Sequence, residues 1–406
     1  MTRAEACLIL NMVDHVGPIT VRRLSEKFGS PEAILEASSS DLKSVQGVGV
    51  KSAQAISAWR TTIAWEEELK QVEQSGMRLI HQEDPDYPVH LKEIHDPPLI
   101  LYVRGKLENG EKNSLAIVGM RHPSHYGMEQ ARTFGYQFGN IGMSVVSGLA
   151  LGIDTASHRG CLQAKGHTVA VLGFGFQYLA KAGSAKLADD IVEAGGAIIS
   201  EFPFKRPPDR QTFPMRNRIV SGMTLGTIVV EAGINSGALI TANFALDQGR
   251  QVFAMPGRID SPQSLGCHKL IQTGAKLIQC VEDVLEEFEY LFPKNQRASA
   301  APNGEGMTIK LTETEKMILD AVPPNEETEI DAVMSACDLP PSVVSATLMV
   351  LEMKRAVRQL PGKRYVRLVS QASVSTPTDA KTHPRLESFL RESATEGDEP
   401  LDPSRL

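Results

Sequence analysis

Short apolar, β-branched runs recur through the middle of the chain, each ending at a glycine or polar residue and each followed by polar stretches, most of helical spacing. Leu115–Val118 stops at Gly119, Met143–Val146 at Ser147-Gly148, Thr168–Leu172 at Gly173 and Ala197–Ser200 at Glu201. Thr227–Val230 stops at Glu231-Ala232-Gly233, Gln251–Ala254 at Met255-Pro256-Gly257, and Lys276–Ile278 closes the series. Runs that are apolar at successive positions, rather than at alternate ones, read as strands buried on both faces. With helices between them they predict an α/β fold: an open, mostly parallel sheet covered on both sides. Upstream, Arg78–His81 reads as another strand, and a proline-rich wrap from Asp84 ends in a short strand at Leu99–Tyr102.

The pattern changes at both ends. Residues 1–70 have helical spacing throughout and contain Gly47-Val48-Gly49 followed by Lys51-Ser52-Ala53 and Ile56, a tight turn that starts a helix. This resembles the helix-hairpin-helix (SAM-like) family, which grips a phosphate through backbone N–H groups; His15–Thr20 looks like a degenerate first hairpin. The alternative is an αα-hairpin that only packs. Residues 71–292 are expected to form the sheet domain, and 293–308 read as a linker by composition. Within 309–369, Thr312–Ala321 reads as a helix with Thr312 and Glu315 forming a capping box. Ile330–Ala336 and Pro341–Met353 follow as helices, and Ala356–Leu368 as a hairpin. Three helices and a hairpin resemble a winged-helix domain, whose third helix would read duplex DNA. Here basic residues lie only at that helix end (Lys354, Arg355) and on the wing (Arg358, Lys363, Arg364, Arg367), so a protein-contact module is the rival reading. Residues 370–406, rich in Ser, Thr, Pro, Asp and Glu, are expected to be disordered.

At 406 residues the chain has room for two or three domains. No stretch approaches the roughly 18 apolar residues of a membrane span, and Glu5 and Asp14 interrupt any signal-peptide pattern. Five dispersed cysteines give neither a disulfide framework nor a zinc knuckle, which fits the reducing cytoplasm. A net charge of −7 argues against coating duplex DNA by bulk electrostatics but leaves room for a local basic groove.

Ligands of open α/β sheets sit beyond the carboxyl ends of the strands. The residues there are Arg121, the loop Ser147–Asp154, Gly173-Phe174-Gly175, Phe213–Arg218 and Ser236-Gly237. Glycine, hydroxyl, amide and arginine suit a phosphate with a sugar attached, whereas catalytic pairs are scarce. No GxGxxG follows the first strand and no GxxxxGK[ST] occurs, so NAD and ATP are poorly supported. Asp154 and His158 share a helix face, yet Asp154 reads better as a helix cap. His122, His125 and His268 look solitary. One of Arg216 and Arg218 could instead pair with Glu201 or Glu231 inside the protein.

Ile117–Arg121, Ser147–Asp154 with His158, Phe213–Arg218, Val230–Ala232, Ser236–Ala242, Gly249–Gly257 and Gly266–Ile271 resemble, in that order, the motifs of the bacterial DNA-processing protein DprA (Smf) family. Tyr87-Pro88 and Asp96-Pro97-Pro98 add to the match. The resemblance implies an extended Rossmann-like domain that binds single-stranded DNA without a nucleotide cofactor or catalysis, so no cofactor is expected. It also implies protection of incoming strands in natural transformation, delivery of RecA onto them, and a homodimer. Carried over by motif, the strand contacts are Arg121, Gly148, Arg216, Asn217, Arg218 and Ser236. The third-strand loop departs from the family pattern, and Lys181 or Lys186 is expected to supply its charge. Self-association and recombinase contacts are expected around His268, Ile271 and Leu277, at the last sheet edge. Bases would stack on Phe174 or Phe176, and Arg121 and Arg218 would each contribute to the salt dependence of binding.

Two rivals follow from other features. Gly226-Thr227 and Glu231 faintly resemble the Gly-Thr-x-x-x-Glu of phosphoribohydrolase-like, nucleotide-processing enzymes, although Ser221–Thr224 stands where those carry Pro-Gly-Gly. A winged-helix transcription regulator would bind specific duplexes through residues 309–370.

Overall fold

The apolar runs become strands because each buries both faces, and the helices between them carry the apolar stripes that cover them. The structure is a computed structural model that describes residues 1–108, 111–181, 183–288, 311–323, 326–337, 339–353, 356–360 and 364–367. The expected linker at 293–308, the tail at 370–406, and Lys354, Arg355 and Lys363 lie outside the described residues. Contacts divide the chain into two compact units, Met1–Ala300 and Ala301–Leu406.

The first unit begins with helices α1 (Arg3–Met12), α2 (Pro18–Phe28), α3 (Pro31–Glu36), α4 (Ser39–Lys43), α5 (Val50–Ser57), α6 (Trp59–Thr62) and α7 (Trp65–Gln74). They enclose their own core of Ile9, Leu24, Ile34, Leu42, Ile56 and Trp59, and the Trp59 indole donates to Leu35 O at 3.1 Å. The glycine turn between α4 and α5 forms as read: Gly47 sits at φ +85°, which favours glycine, and Gly49 caps α5. The Arg23 guanidinium lies over Gly47, where a Cβ would collide with it. These helices are stitched to the sheet. Glu68 of α7, buried, accepts from the Tyr102 hydroxyl at 2.9 Å and from Phe204 N–H, and Asn11 donates to Glu201 O at 2.9 Å.

The sheet comprises β1 (Arg78–His81), β2 (Ile100–Gly105), β3 (Ser114–Val118), β4 (Ser144–Ser147), β5 (Thr168–Val171), β6 (Ala197–Ser200), β7 (Gly226–Val229), β8 (Gln251–Ala254) and β9 (Lys276–Leu277). Their order is β1-β2-β6-β5-β4-β3-β7-β8-β9. From β6 to β9 across the sheet all pairs are parallel; β2 joins β6, and β1 joins β2, antiparallel. Every residue of β3 to β7 is buried, which is the burial the uninterrupted apolar runs predict. One face is covered by α8 (His125–Asn140), α9 (Ile153–Gln163) and, further on, α14 (Val281–Glu286). Between α9 and α14 in the chain lie α10 (Ala185–Glu193), packed on β6, and α11 (Thr212–Gly222), α12 (Gly237–Asp247) and α13 (Leu265–Gln272), which cover the other face. This is the extended Rossmann-like architecture.

The second unit holds α15 (Glu313–Asp320), α16 (Ile330–Ala336) and α17 (Pro341–Met353), with β10 (Thr328–Glu329), β11 (Val357–Leu360) and β12 (Arg364–Arg367) in the order β10-β12-β11. Thr312 and Glu315 form the expected capping box on α15. Val344, Leu348 and Leu351 of α17 face the core with Ile318, Val333 and Val357, a winged-helix arrangement. Two wing arginines are engaged internally: Arg364 pairs with Glu327, and Arg367 contacts Asp320 at 3.2 Å and donates to Leu319 O.

Candidate nucleic-acid interface

From β3 the chain builds β4, β5 and β6 outward on one side, then crosses back to place β7, β8 and β9 on the other. At such a reversal the loops diverge beyond the strand ends and leave a crevice. Here it is a cleft of about 510 Å³. Its walls are Gly119–Arg121 after β3, the glycine loop after β4, Phe213–Asn217 on α11, and the turn at Ser236 that opens α12.

Glycines bring these pieces together. A Cβ on Gly119 would strike Ile153 at 2.5 Å, so its absence lets α9 start against the end of β3. Gly152 has φ +86° and lies against the Met120 carbonyl, and Ile153 N–H donates to that same oxygen at 3.3 Å. The loop between is clamped around Gly148 from both sides. Asp154 Oδ2 accepts from Gly148 N at 3.1 Å and Ala150 N at 3.3 Å, while Arg216 donates to the carbonyls of Gly148 and Val171. Asp154 thus holds the loop and does not cap α9, whose N-cap is Gly152 without a side-chain bond, so the reading of Asp154 as a helix cap is corrected.

Arg216 is 5 % exposed and forms the back of the cleft. Burial lowers its pKa to about 10, with Asp154 opposing the shift and Arg121 adding to it, so it stays charged at neutral pH. Its Nε donates to Asn217 Oδ1 at 3.2 Å, which fixes the amide that also lines the cleft. Arg121 is exposed at the rim, with its guanidinium 5.3 Å from the Phe213 ring centre. A cation held on an aromatic face loses less freedom when it meets a phosphate. Ser236 caps α12 through Ala238 N at 3.3 Å and lines the same cleft, where the helix N-terminus adds partial positive charge. Gly148 also lines it, but with its N–H and carbonyl already committed. A Cβ there would overlap the Arg216 guanidinium. Its part is to admit Arg216.

Arg218 points elsewhere. It lies one residue past Asn217 on α11, and the 100° step per residue turns it towards the interior. It is 5 % exposed, with Nη2 2.6 Å from Glu201 and Nε 2.9 Å from Asp96. Burial works against its charge, but the two carboxylates more than offset this and its pKa rises. The reading of Arg218 as a strand contact is therefore replaced by its alternative, internal pairing with Glu201, with Asp96 added. Phe176, 7 % exposed, belongs to the core with Leu172 and Leu187, so it offers no stacking surface. Phe174 is half-buried and meets Phe213 edge-on at 6.5 Å between centres. Lys186 is exposed on the first turn of α10 and does not line the cleft. Lys181 ends the short 3₁₀ helix Phe176–Lys181, and its side chain lies outside the described atoms.

His158 does not meet Asp154. It is fully buried, its Nδ1 2.7 Å from Thr168 Oγ1. Burial, with Arg216 nearby, lowers its pKa from 6.5 to about 3. A base depressed in the folded state takes up its proton only on unfolding, so it removes stability as pH falls below about 6.5, by about 1.4 kcal/mol per pH unit until about 3. In urea titrations between pH 7 and pH 4, the acid destabilisation should be shallower by nearly one proton in His158→Gln; an unchanged slope would contradict the assignment.

Glu231, the residue an enzyme reading would make catalytic, is 4 % exposed and absent from the cleft wall. Its carboxylate receives Ser124 N–H at 2.8 Å and the Ser124 hydroxyl, anchoring the start of α8. At the far edge, among the described residues β9 pairs with β8 alone; Leu277 there is 43 % exposed, whereas Ile271 packs against the core and His268 Nε2 lies 3.0 Å from Gly257 O. Among the described residues no helix is long and apolar enough to cross a membrane, and no cluster suits a metal ion.

Comparison with known proteins agrees with this construction. Residues 78–289 match the family described as DNA recombination-mediator protein A, residues 299–363 the DprA winged helix domain, and residues 8–58 the SAM-like helix-hairpin-helix tandem. The chain is 38 % identical over 301 residues to Protein Smf of Escherichia coli, covering 73 % of this chain and 79 % of that one. It is 42 % identical over 217 residues to the DNA processing protein DprA of Bacillus subtilis, covering 53 % and 72 %. The crystal structure of DNA processing protein A from Streptococcus pneumoniae aligns with a TM-score of 0.60 at 32 % identity, over 71 % of this chain and 98 % of that one. A switch-point cleft built from these motifs, inside a sheet domain that matches throughout, places the chain in the DprA/Smf family of DNA-processing recombination mediators.

Proposed function

We propose that the switch-point cleft holds the backbone of single-stranded DNA, and that the protein is a non-catalytic binder that protects the strand and presents it to RecA in the cytoplasm. The observation that carries this is the pair of cations at one opening: Arg121 exposed at the rim, Arg216 fixed behind it. The Asn217 amide and the α12 N-terminus complete an anion-selective lining. The described cleft residues offer no acid–base pair free to do chemistry, because Asp154 is engaged with two N–H groups and Arg216.

Backbone contacts release counterions, so affinity should fall with salt at about 0.7 log units per log unit for each phosphate neutralised on a single strand. Arg121→Ala should flatten that slope by about that amount and weaken binding of mixed-sequence oligonucleotides alike. An unchanged slope would remove Arg121 from the site. Duplex competitor at equal nucleotide concentration should displace little of the strand. Incubation with nucleoside monophosphates should release no free base; base release abolished by Glu231→Gln would instead establish an enzyme.

The recombinase role rests on family membership and on the open edge of β9, which also supports a homodimer. An unpaired edge with an exposed Leu277 is a surface that a second copy or a partner can extend. Leu277→Asp should shift sedimentation from dimer to monomer and reduce RecA filament growth on coated strands, while leaving the salt slope per protomer unchanged.

A further inference from the structure

Of the two aromatics expected to meet bases, Phe176 belongs to the core and Phe174 is half-buried against Phe213. Apolar surface at the strand ends lies instead on the other side of β3, by β7 and β8. Tyr126, in the first turn of α8, is 47 % exposed, and its hydroxyl lies 3.4 Å from the Pro256 carbonyl just past β8. Gly127 sets it there. A Cβ on that glycine would overlap the Glu231 carboxylate, which also holds Ser124, so α8 starts close against the end of β7. Ile234, 59 % exposed, belongs to the turn whose Gly233, Asn235 and Ser236 line the cleft. Ile259, 88 % exposed, stands in the loop after β8. Its neighbours Arg258 and Asp260 pair with each other at 3.0 and 2.9 Å, so that loop offers an apolar group beside a cation already paired. The two loops meet: a Cβ on Gly233 would lie 3.4 Å from Pro262 O, and Gly266 N–H donates to Ala232 O at 2.7 Å.

Single exposed apolar residues are ordinary, but a group of them on touching loops beside a cationic cleft gains free energy by leaving water. We propose that Tyr126, Ile234 and Ile259 form a shelf for the bases of the nucleotides that leave the cleft on the β7–β8 side, with Tyr126 as the stacking residue. This rests on the strand-binding reading of the cleft. Continuity selects the occupant: the turn at 233–236 is a wall of the cleft and carries Ile234 outside it, so a strand crossing that wall meets the shelf next. Every base has a flat face that an aromatic ring takes without reading its identity, which suits a binder of mixed sequence. Paired bases are stacked on one another, so the shelf also favours single strands over duplex. A protein occupant would need more area, because three side chains fall far short of the about 800 Å² per partner that a stable interface covers.

Binding of a mixed-sequence oligonucleotide at several salt concentrations tests this. Tyr126→Ala should weaken affinity about tenfold, in the range of one base lost from an aromatic ring. The salt slope should stay as it is, because no cation has been removed. Tyr126→Phe should bind like the parent, since the ring and not the hydroxyl makes the contact. Ile259→Ser should lose about threefold through lost apolar contact; lying in a loop, it keeps the test open should Tyr126→Ala fail to fold. An oligonucleotide of equal length that is abasic throughout carries phosphates without bases, so it should bind the parent and Tyr126→Ala alike. Arg121→Ala keeps the two readings apart. A flattened slope there, with parental affinity in Tyr126→Ala and Ile259→Ser, would strike the shelf and leave the cleft; an unchanged slope would strike the cleft and the shelf with it. Two further outcomes would overturn the proposal: an equal loss on the abasic strand, or altered sedimentation of Tyr126→Ala at parental affinity, which would make a second copy the occupant.

Discussion

Arg218→Ala should cost about 3–5 kcal/mol of stability and leave the salt dependence of strand binding untouched. Its guanidinium is held between Glu201 and Asp96 in the interior, and removing one partner of a buried pair strands the other's charge without water. Glu201 is itself buried, and burial already raises its pKa despite Arg218. Without the arginine it would take up a proton or draw in solvent. Glu201→Ala should be comparably damaging, whereas the double variant Arg218→Met with Glu201→Leu should recover most of the loss, because apolar groups of similar volume need no partner. Denaturant titration gives the stabilities, and oligonucleotide binding at several salt concentrations gives the slopes. If Arg218→Ala were as stable as the parent but flattened the slope, the arginine would face the strand after all.

Arg216→Ala should lower stability and affinity together. Two carbonyls, of Gly148 and Val171, lose their donor at once, and the buried Asp154 loses the nearby positive charge that favours its ionised form. A loss of about 3–5 kcal/mol is expected from the two unsatisfied buried carbonyls together with the less compensated carboxylate, and strand binding should weaken at least tenfold because the glycine loop is no longer fixed against the cleft. Arg216→Lys separates the two roles. An ammonium is a point charge that cannot span both carbonyls as a planar fork does. The lysine variant should therefore recover most of the salt slope while remaining well below the parent in stability. Full recovery of both would mean that the fork geometry is immaterial and only charge matters.

These neighbours on α11 show where reading the chain stops. Both arginines belong to one motif, both precede an apolar run, and composition cannot separate them. Their fates diverge because α11 turns 100° per residue, which aims Arg216 at the glycine loop and Arg218 at β6. The same holds for Phe174 and Phe176, near neighbours in the chain of which Phe176 is buried in the core while Phe174 stays half-buried against Phe213. Asp154 read as a helix cap, and its hold on Gly148 and Ala150 emerged only when the loop was folded back on it. Phe213, which seats Arg121, lay inside a recognised motif without an assigned part; an aromatic at the head of an arginine-bearing helix was the available signal.

The linear pattern by itself determined the strands, their mostly parallel sheet, the capping box at Thr312, the glycine turn at Gly47–Gly49 and the loops that had to meet at the strand ends. Those features follow from local periodicity and backbone freedom, which are properties of neighbours in sequence. Only the tertiary structure decided which arginine faces the cleft, that Glu231 anchors α8, and that wing arginines Arg364 and Arg367 are paired within their own unit. Such outcomes turn on which distant carboxylate or carbonyl lies within about 3 Å of a charged group, and that distance exists only once the sheet has closed.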